Sequence, residues 1–347
     1  YTKLDKFHRP RKIFRHEIGS STKNDILIFE EKSEAFTVNI GMSSDEKYFF
    51  IKTSDHNTSE EYFFDANEKK PKPKLIKERK KGILYSVNSW NGYFYNHTNE
   101  NAEDFKVERC KDLLNQKWEK FIEPKSEVLI GGVTFLKNWI LRSEVSNALA
   151  KLFVREINSD KEEEIVFTNE NVIDPGISFV QKDRDTDKLY LSYSSPKTQN
   201  RVYLYDLKTK ERKLVKEQII PSGHNSDDYI VERLECDSHD GRKIPLTITR
   251  HKNTKIDGSA TLLLYGYGSY GSSMSPGFSS TKLSLINRNI IWVTTHVRGG
   301  MERGMKWWKE GKLLNKKNTF EDYIAVGKFL IEKKYTSKGK IIGMGGS

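Results

Sequence analysis

The chain has 347 residues, 36% hydrophobic, 12% aromatic and 31% charged, enough apolar material for two folded domains beneath a heavily solvated surface. No stretch approaches the roughly 18 uncharged apolar residues of a membrane-spanning helix, and the polar, basic start lacks the apolar centre of a signal peptide, which excludes a membrane partner and leads us to expect a cytoplasmic location. The net charge of +11 raises the question of nucleic acid, but basic residues are interleaved with acids, as in Lys161-Glu162-Glu163-Glu164, so a solvated face is the better reading and nucleic acid is not an expected partner.

Cys110 and Cys236 are the only cysteines, too few for a disulfide framework and too far apart for a CxxC motif. Reduced thiols are expected, with no metal site and no cofactor. The chain opens on Tyr1 rather than methionine, from which further sequence upstream is expected.

From about residue 36 to 215, short runs rich in Tyr, Phe, Ile and Val alternate with polar turns. Four of them pair as strand, turn, strand: 48–53 with 61–65, 92–97 with 104–108, 139–143 with 151–157, and 188–193 with 201–207. The first strands begin at 48, 92, 139 and 188, in steps of 44, 47 and 49 residues. A period of that size with several strands per unit is the mark of β-propeller blades. An irregular β-sandwich is the alternative.

Beyond a polar connector at 221–228 the texture changes. Residues 232–236 and 243–250 form a hairpin around Asp240-Gly241. The continuous apolar runs 261–265 and 290–295 read as strands buried on both faces of a parallel sheet. Helical segments lie between and after them, and 320–332 places Tyr323, Val326, Phe329 and Leu330 on one face. A last buried strand at 340–344 runs directly into Gly345-Gly346-Ser347. The expected fold is a partial β-propeller, residues 1–222, followed by the first half of an α/β-hydrolase domain, residues 229–347. Small residues before a serine at a strand end fit the opening of a nucleophile elbow, where the tight turn leaves the hydroxyl above the sheet.

The runs LLLYGYGSYG (262–271), THVRGGMERG (295–304), KWWKEGKLLNKKNTFEDYIAV (306–326) and IIGMGGS (341–347) resemble the prolyl oligopeptidase family, in its order and at its distances. FSSTKLSLINR, RKIFRHEIG and FEEKSEAFTVNI are similar to its oligopeptidase B branch. The resemblance implies a propeller of about seven blades over a cofactor-free hydrolase domain that cuts short peptides, after Arg or Lys. It makes Ser347 the nucleophile and Tyr267 the side-chain donor of the oxyanion hole, while His296 and Arg298 are loop-fixing groups and Trp307 and Trp308 belong to the core. Relatives of this branch tend to carry acidic residues in the segment 272–280 that help hold a basic substrate side chain, whereas here Ser275 and Gly277 stand at those places.

In an α/β-hydrolase the triad follows the order serine, acid, histidine, so both partners of Ser347 are expected downstream of these residues. The polypeptide of 347 residues is therefore expected to be inactive alone. Two other functions stay open at this point: one half of a two-chain peptidase completed by a separate polypeptide with the Asp and His, and a non-catalytic propeller binding module.

Overall fold

Strand pairing across the first 217 residues is antiparallel throughout the part that the computed structural model describes, which comprises residues 1–159, 161–167, 170–179 and 184–346. A three-stranded sheet of β1 (Thr2–Leu4), β2 (Pro10–Arg15) and β3 (Ile26–Glu30) comes first. Two four-stranded meanders follow: β4 (Thr37–Met42), β5 (Tyr48–Ser54), β6 (Ser59–Asp65), β7 (Lys74–Lys77), then β8 (Tyr85–Trp90), β9 (Tyr93–Thr98), β10 (Lys106–Cys110), β11 (Glu119–Ile122). These strands lie in a first compact unit, residues 1–124.

Strand formation there follows from side chains. In β5 and β6, Phe50, Ile51, Phe63 and Phe64 are buried, and aromatic and β-branched residues suit a pleated, packed surface. The turn between them is made by Asp55, whose Oδ1 accepts the N–H groups of Asn57 and Thr58, both at 2.7 Å.

Residues 125–347 form the second compact unit. It opens with two more four-stranded meanders: β12 (Val128–Leu136), β13 (Trp139–Ser146), β14 (Leu149–Glu156), β15 (Glu162–Glu164), then β16 (Asp174–Phe179), β17 (Lys188–Ser194), β18 (Arg201–Asp206), β19 (Arg212–Glu217). Each sheet is built from one contiguous segment, as a propeller blade is, whereas a sandwich shares strands between two packed sheets. The four strand pairs read from the sequence are the second and third strands of the four blades.

The β13–β14 turn has positive φ at both central residues, 48° at Asn147 and 61° at Ala148, the hairpin geometry that matches strand twist. Alanine in this region costs about 1 kcal/mol or more. The turn is clasped from later in the same unit. The Ala148 N–H donates to the Glu302 carbonyl at 2.8 Å. Asn147 Oδ1 accepts from Arg303 Nε and Nη2 at 3.0 and 2.8 Å, and Asn147 O accepts from Arg233.

After β19 the chain builds a mixed five-stranded sheet in the order β20-β21-β23-β22-β24. Its strands are β20 (Tyr229–Asp237), β21 (Lys243–His251), β22 (Leu262–Tyr265), β23 (Ile291–Thr295) and β24 (Ile341–Met344). The first two form the expected hairpin, and β22 runs parallel to both β23 and β24. Helices cover both faces: α1 (Ser280–Ile286) buries Leu283 and Ile286 against Leu263 and Trp292. On the other face α3 (Lys317–Glu332) buries Val326 and Leu330 in a core shared with sheet residues such as Ile244, Leu264 and Val293. Helix α2 (Gly304–Lys309) adds Trp307 to that core, and Trp308 is buried too. No helix among the described residues is long and apolar enough to cross a membrane.

Candidate active site

Strands β22 and β24 are parallel neighbours, with Tyr265 opposite Met344, and the Gly266 N–H donates to the Met344 carbonyl at 3.1 Å. Their carboxyl ends carry Tyr267 on one side and Gly345-Gly346 on the other. Crevices outside such strand ends are where α/β sheets bind ligands. Ser347 lies outside the described residues, whereas Gly346, its neighbour in the chain, lines the same cavity as Tyr267. That cavity has about 520 Å³, with Ser269, Lys316, Phe320 and Tyr323 in its wall.

Glycine is required where the strand ends crowd one another. A Cβ on Gly266 would lie 2.7 Å from Thr295 Oγ1 and 2.9 Å from the Tyr323 ring, and one on Gly345 would lie 3.0 Å from the Gly266 carbonyl. Tyr323 anchors the floor by donating to the Leu264 carbonyl at 2.6 Å. Tyr267 is half-buried, and its hydroxyl makes no hydrogen bond among the described residues. A phenol in that state can donate to an oxyanion that forms in the cavity.

The Tyr267 loop rests on the loop that follows β23. Gly299 has φ of 108°, and a Cβ there would sit 1.8 Å from the Gly268 carbonyl, so the two backbones touch. Beneath them Arg298 is 1% exposed and Asp322, on α3, is 0% exposed. Arg298 donates from its backbone N, Nε and Nη2 to Asp322 at 3.0, 2.9 and 2.6 Å, and it also bonds Asp240. Burial alone would lower the Arg298 pKa, but hydrogen bonds and charge from Asp322 and Asp240 outweigh it and raise the value. Thr319 completes the tie by donating to the Arg298 carbonyl at 2.6 Å.

Arg298 therefore fixes loops, as the sequence implies. His296 is fully buried, its Nε2 2.9 Å from Thr247 Oγ1, and burial followed by the charge of Arg233 drives its pKa well below the ordinary value. It is not among the residues that line the cavity. Asp322 was not singled out from the sequence, and Asp240 was read only as a turn residue of the hairpin. A signal for Asp322 was present: it falls one turn before Val326 and two before Leu330, an acid on the apolar stripe of α3.

Glu302 is a second buried acid, 1% exposed, whose Oε1 accepts the Met274 N–H at 2.9 Å. Burial pushes its pKa up from 4.5 to about 7. Between those values the folded state holds a proton that the unfolded chain releases, so Glu302 stabilises the fold least above pH 7. Stability is expected to decline as pH rises from 4.5 to about 7, by up to about 3 kcal/mol from this group. Glu302→Gln, which keeps the acceptor for Met274, should flatten that part of the slope in thermal melts at several pH values. An unchanged slope would show that the group titrates normally.

A family model for the N-terminal beta-propeller domain of prolyl oligopeptidase matches residues 1–218, and one for the prolyl oligopeptidase family matches residues 276–347. Protease 2 of Moraxella lacunata is 33% identical across 100% of this chain and 50% of its own length. Dipeptidyl aminopeptidase BI of Pseudoxanthomonas mexicana is 32% identical across 97% of this chain and 46% of its own. Among solved structures, oligopeptidase B from Trypanosoma brucei, in a closed form with covalently bound antipain, superposes with a TM-score of 0.93 at 29% identity, over 99% of this chain and 50% of that one. Oligopeptidase B from Leishmania major superposes with the same TM-score at 26% identity, again over 99% of this chain and 50% of that one. The chain spans about half the length of the curated relatives it matches. The blades, the mixed sheet with its Tyr-Gly-Tyr-Gly strand end and the family matches agree: the chain belongs to the prolyl oligopeptidase family.

Proposed function

We propose that these residues form the blades and the first catalytic strands of a serine oligopeptidase that hydrolyses short peptides after Arg or Lys. In this reading residues 1–222 are the propeller part and 229–347 the catalytic part, a division supported by the two family matches. The hydroxyl of Ser347 attacks the scissile carbonyl, its proton passing to a histidine; the histidine then gives that proton to the departing amine as the C–N bond breaks, leaving an acyl-enzyme that water hydrolyses. Tyr267 donates to the oxyanion of the tetrahedral intermediate. The observation that carries the proposal is the single cavity shared by the free Tyr267 hydroxyl and Gly346.

The proposed location is the cytoplasm. It suits Cys110 and Cys236, which are free and buried, burial pushing their pKa values up to about 11 and about 12, out of the reactive range.

The test is Tyr267→Phe in the gene product that carries these residues, with peptides cut after Arg. Loss of one oxyanion donor is expected to lower kcat by about 10²–10³ and to leave KM nearly constant. Because the hydroxyl holds nothing in the fold, the variant should melt like the parent. Unaltered kcat would remove Tyr267 from the mechanism.

A further inference from the structure

Helix α3 begins on a residue that helix physics disfavours. Lys316 is its N-cap, no side chain caps the first N–H groups, and the first turn holds no acid. Free N–H groups and the helix dipole make such an end positive, so Ser, Thr, Asp and Asn are the usual N-caps and a cation is out of place. Lys316 is also half-buried: burial lowers its pKa, with no carboxylate among the described residues to raise it. A charge kept at such a place needs a local reason.

The reason is found in what the ammonium holds. Lys316 Nζ donates to the Gly268 carbonyl, to Ser269 Oγ at 2.8 Å and to Thr319 Oγ1 at 3.4 Å, so three donors meet three oxygens. An acid at this position could donate to none of them, and a serine to only one. Two of the three oxygens belong to the residues that directly follow Tyr267. On the other side of Tyr267, the Gly266 N–H is bound to the Met344 carbonyl. The main chain is therefore tied on both sides of the phenol, to β24 before it and to α3 after it. Lys316, Tyr267, Ser269 and Gly346 all line the same cavity. Because its donors are committed to the protein, Lys316 acts on a substrate through the loop it holds.

We propose that Lys316 is a positioning residue for the oxyanion donor: by holding the Gly268 carbonyl and the Ser269 hydroxyl, it fixes the strand end from which the Tyr267 phenol reaches the reacting carbonyl. The inference rests on the peptidase reading, with Tyr267 as that donor. It accounts for a cation at a helix end that would otherwise favour an acceptor.

The experiment is a double-mutant cycle in the gene product that carries these residues, with a peptide cut after Arg as substrate. Lys316→Met keeps the apolar stem and loses every donor. It is expected to lower kcat by about tenfold to a hundredfold and to leave KM nearly constant, the signature of a misplaced catalytic group. Lys316→Arg, which keeps the charge and the donors, should retain most of the parent kcat. In the Tyr267→Phe protein there is no hydroxyl left to position, so adding Lys316→Met should cost less than about twofold. A merely structural role would lower kcat by the same factor whichever residue stands at position 267, and thermal melts of the four proteins separate any loss due to unfolding. An undiminished loss in the Tyr267→Phe protein, or a Lys316→Met kcat equal to that of the parent, overturns the inference and leaves the peptidase reading standing. A parent protein inert on the peptide overturns the two together.

Discussion

Residues 1–347 prepared as a separate polypeptide are expected to leave fluorogenic peptides ending in Arg or Lys uncut. A serine hydroxyl is a weak nucleophile at neutral pH and needs a histidine within hydrogen-bonding reach, itself oriented by a carboxylate. In this fold both partners come later in the chain than the serine. Loss of triad partners lowers kcat by about 10⁴–10⁶. The same drop is expected from Ser347→Ala in the whole gene product, with a fluorophosphonate probe labelling the parent and not the variant. Turnover by the separate polypeptide that Ser347→Ala abolishes would contradict the prediction.

Asp322→Ala is expected to destabilise the protein by about 3–5 kcal/mol, close to the whole net stability of many domains. The substitution strands the Arg298 guanidinium, 1% exposed, with only Asp240 among the described residues to neutralise it, and leaves Ser238 without the acceptor that its hydroxyl finds at 2.6 Å. Replacing both members, Arg298→Met with Asp322→Leu, should cost less than the single change, because no charge is then left buried alone. Urea unfolding of the two variants measures this. A loss below about 1 kcal/mol for Asp322→Ala would mean that solvent reaches the guanidinium.

The legible parts of the fold were those where side-chain chemistry and geometry coincide. Strands β5, β9, β13 and β17 carry alternating or continuous aromatic and β-branched residues because they lie inside their blades. The outermost strands do not: β15 is Glu162-Glu163-Glu164, fully exposed, and β19 is RKLVKE, also mostly exposed. Such segments become strands because a neighbour offers them a ladder, which no local pattern records. The role proposed for Tyr267 rests on its family's strand-end motif, since no periodicity marks it. The Arg298–Asp240 contact was not readable at all, since it joins residues with no shared periodicity.

The clasped turn at Asn147-Ala148 bears on modularity. Its left-handed alanine lies in the segment that the propeller family model matches, whereas Arg233 and Arg303, which hold its carbonyl and amide oxygens, lie beyond that segment. A blade transplanted from a related protein would arrive with its own hairpin tip, facing Arg233, Arg303 and the Glu302 carbonyl. Unless that tip offers an amide donor and two oxygen acceptors in the same places, the recombinant inherits unpaired guanidinium groups and an unmet carbonyl. Crossover points that keep the third blade with its own hydrolase segment therefore preserve a matched set, and those that part them do not.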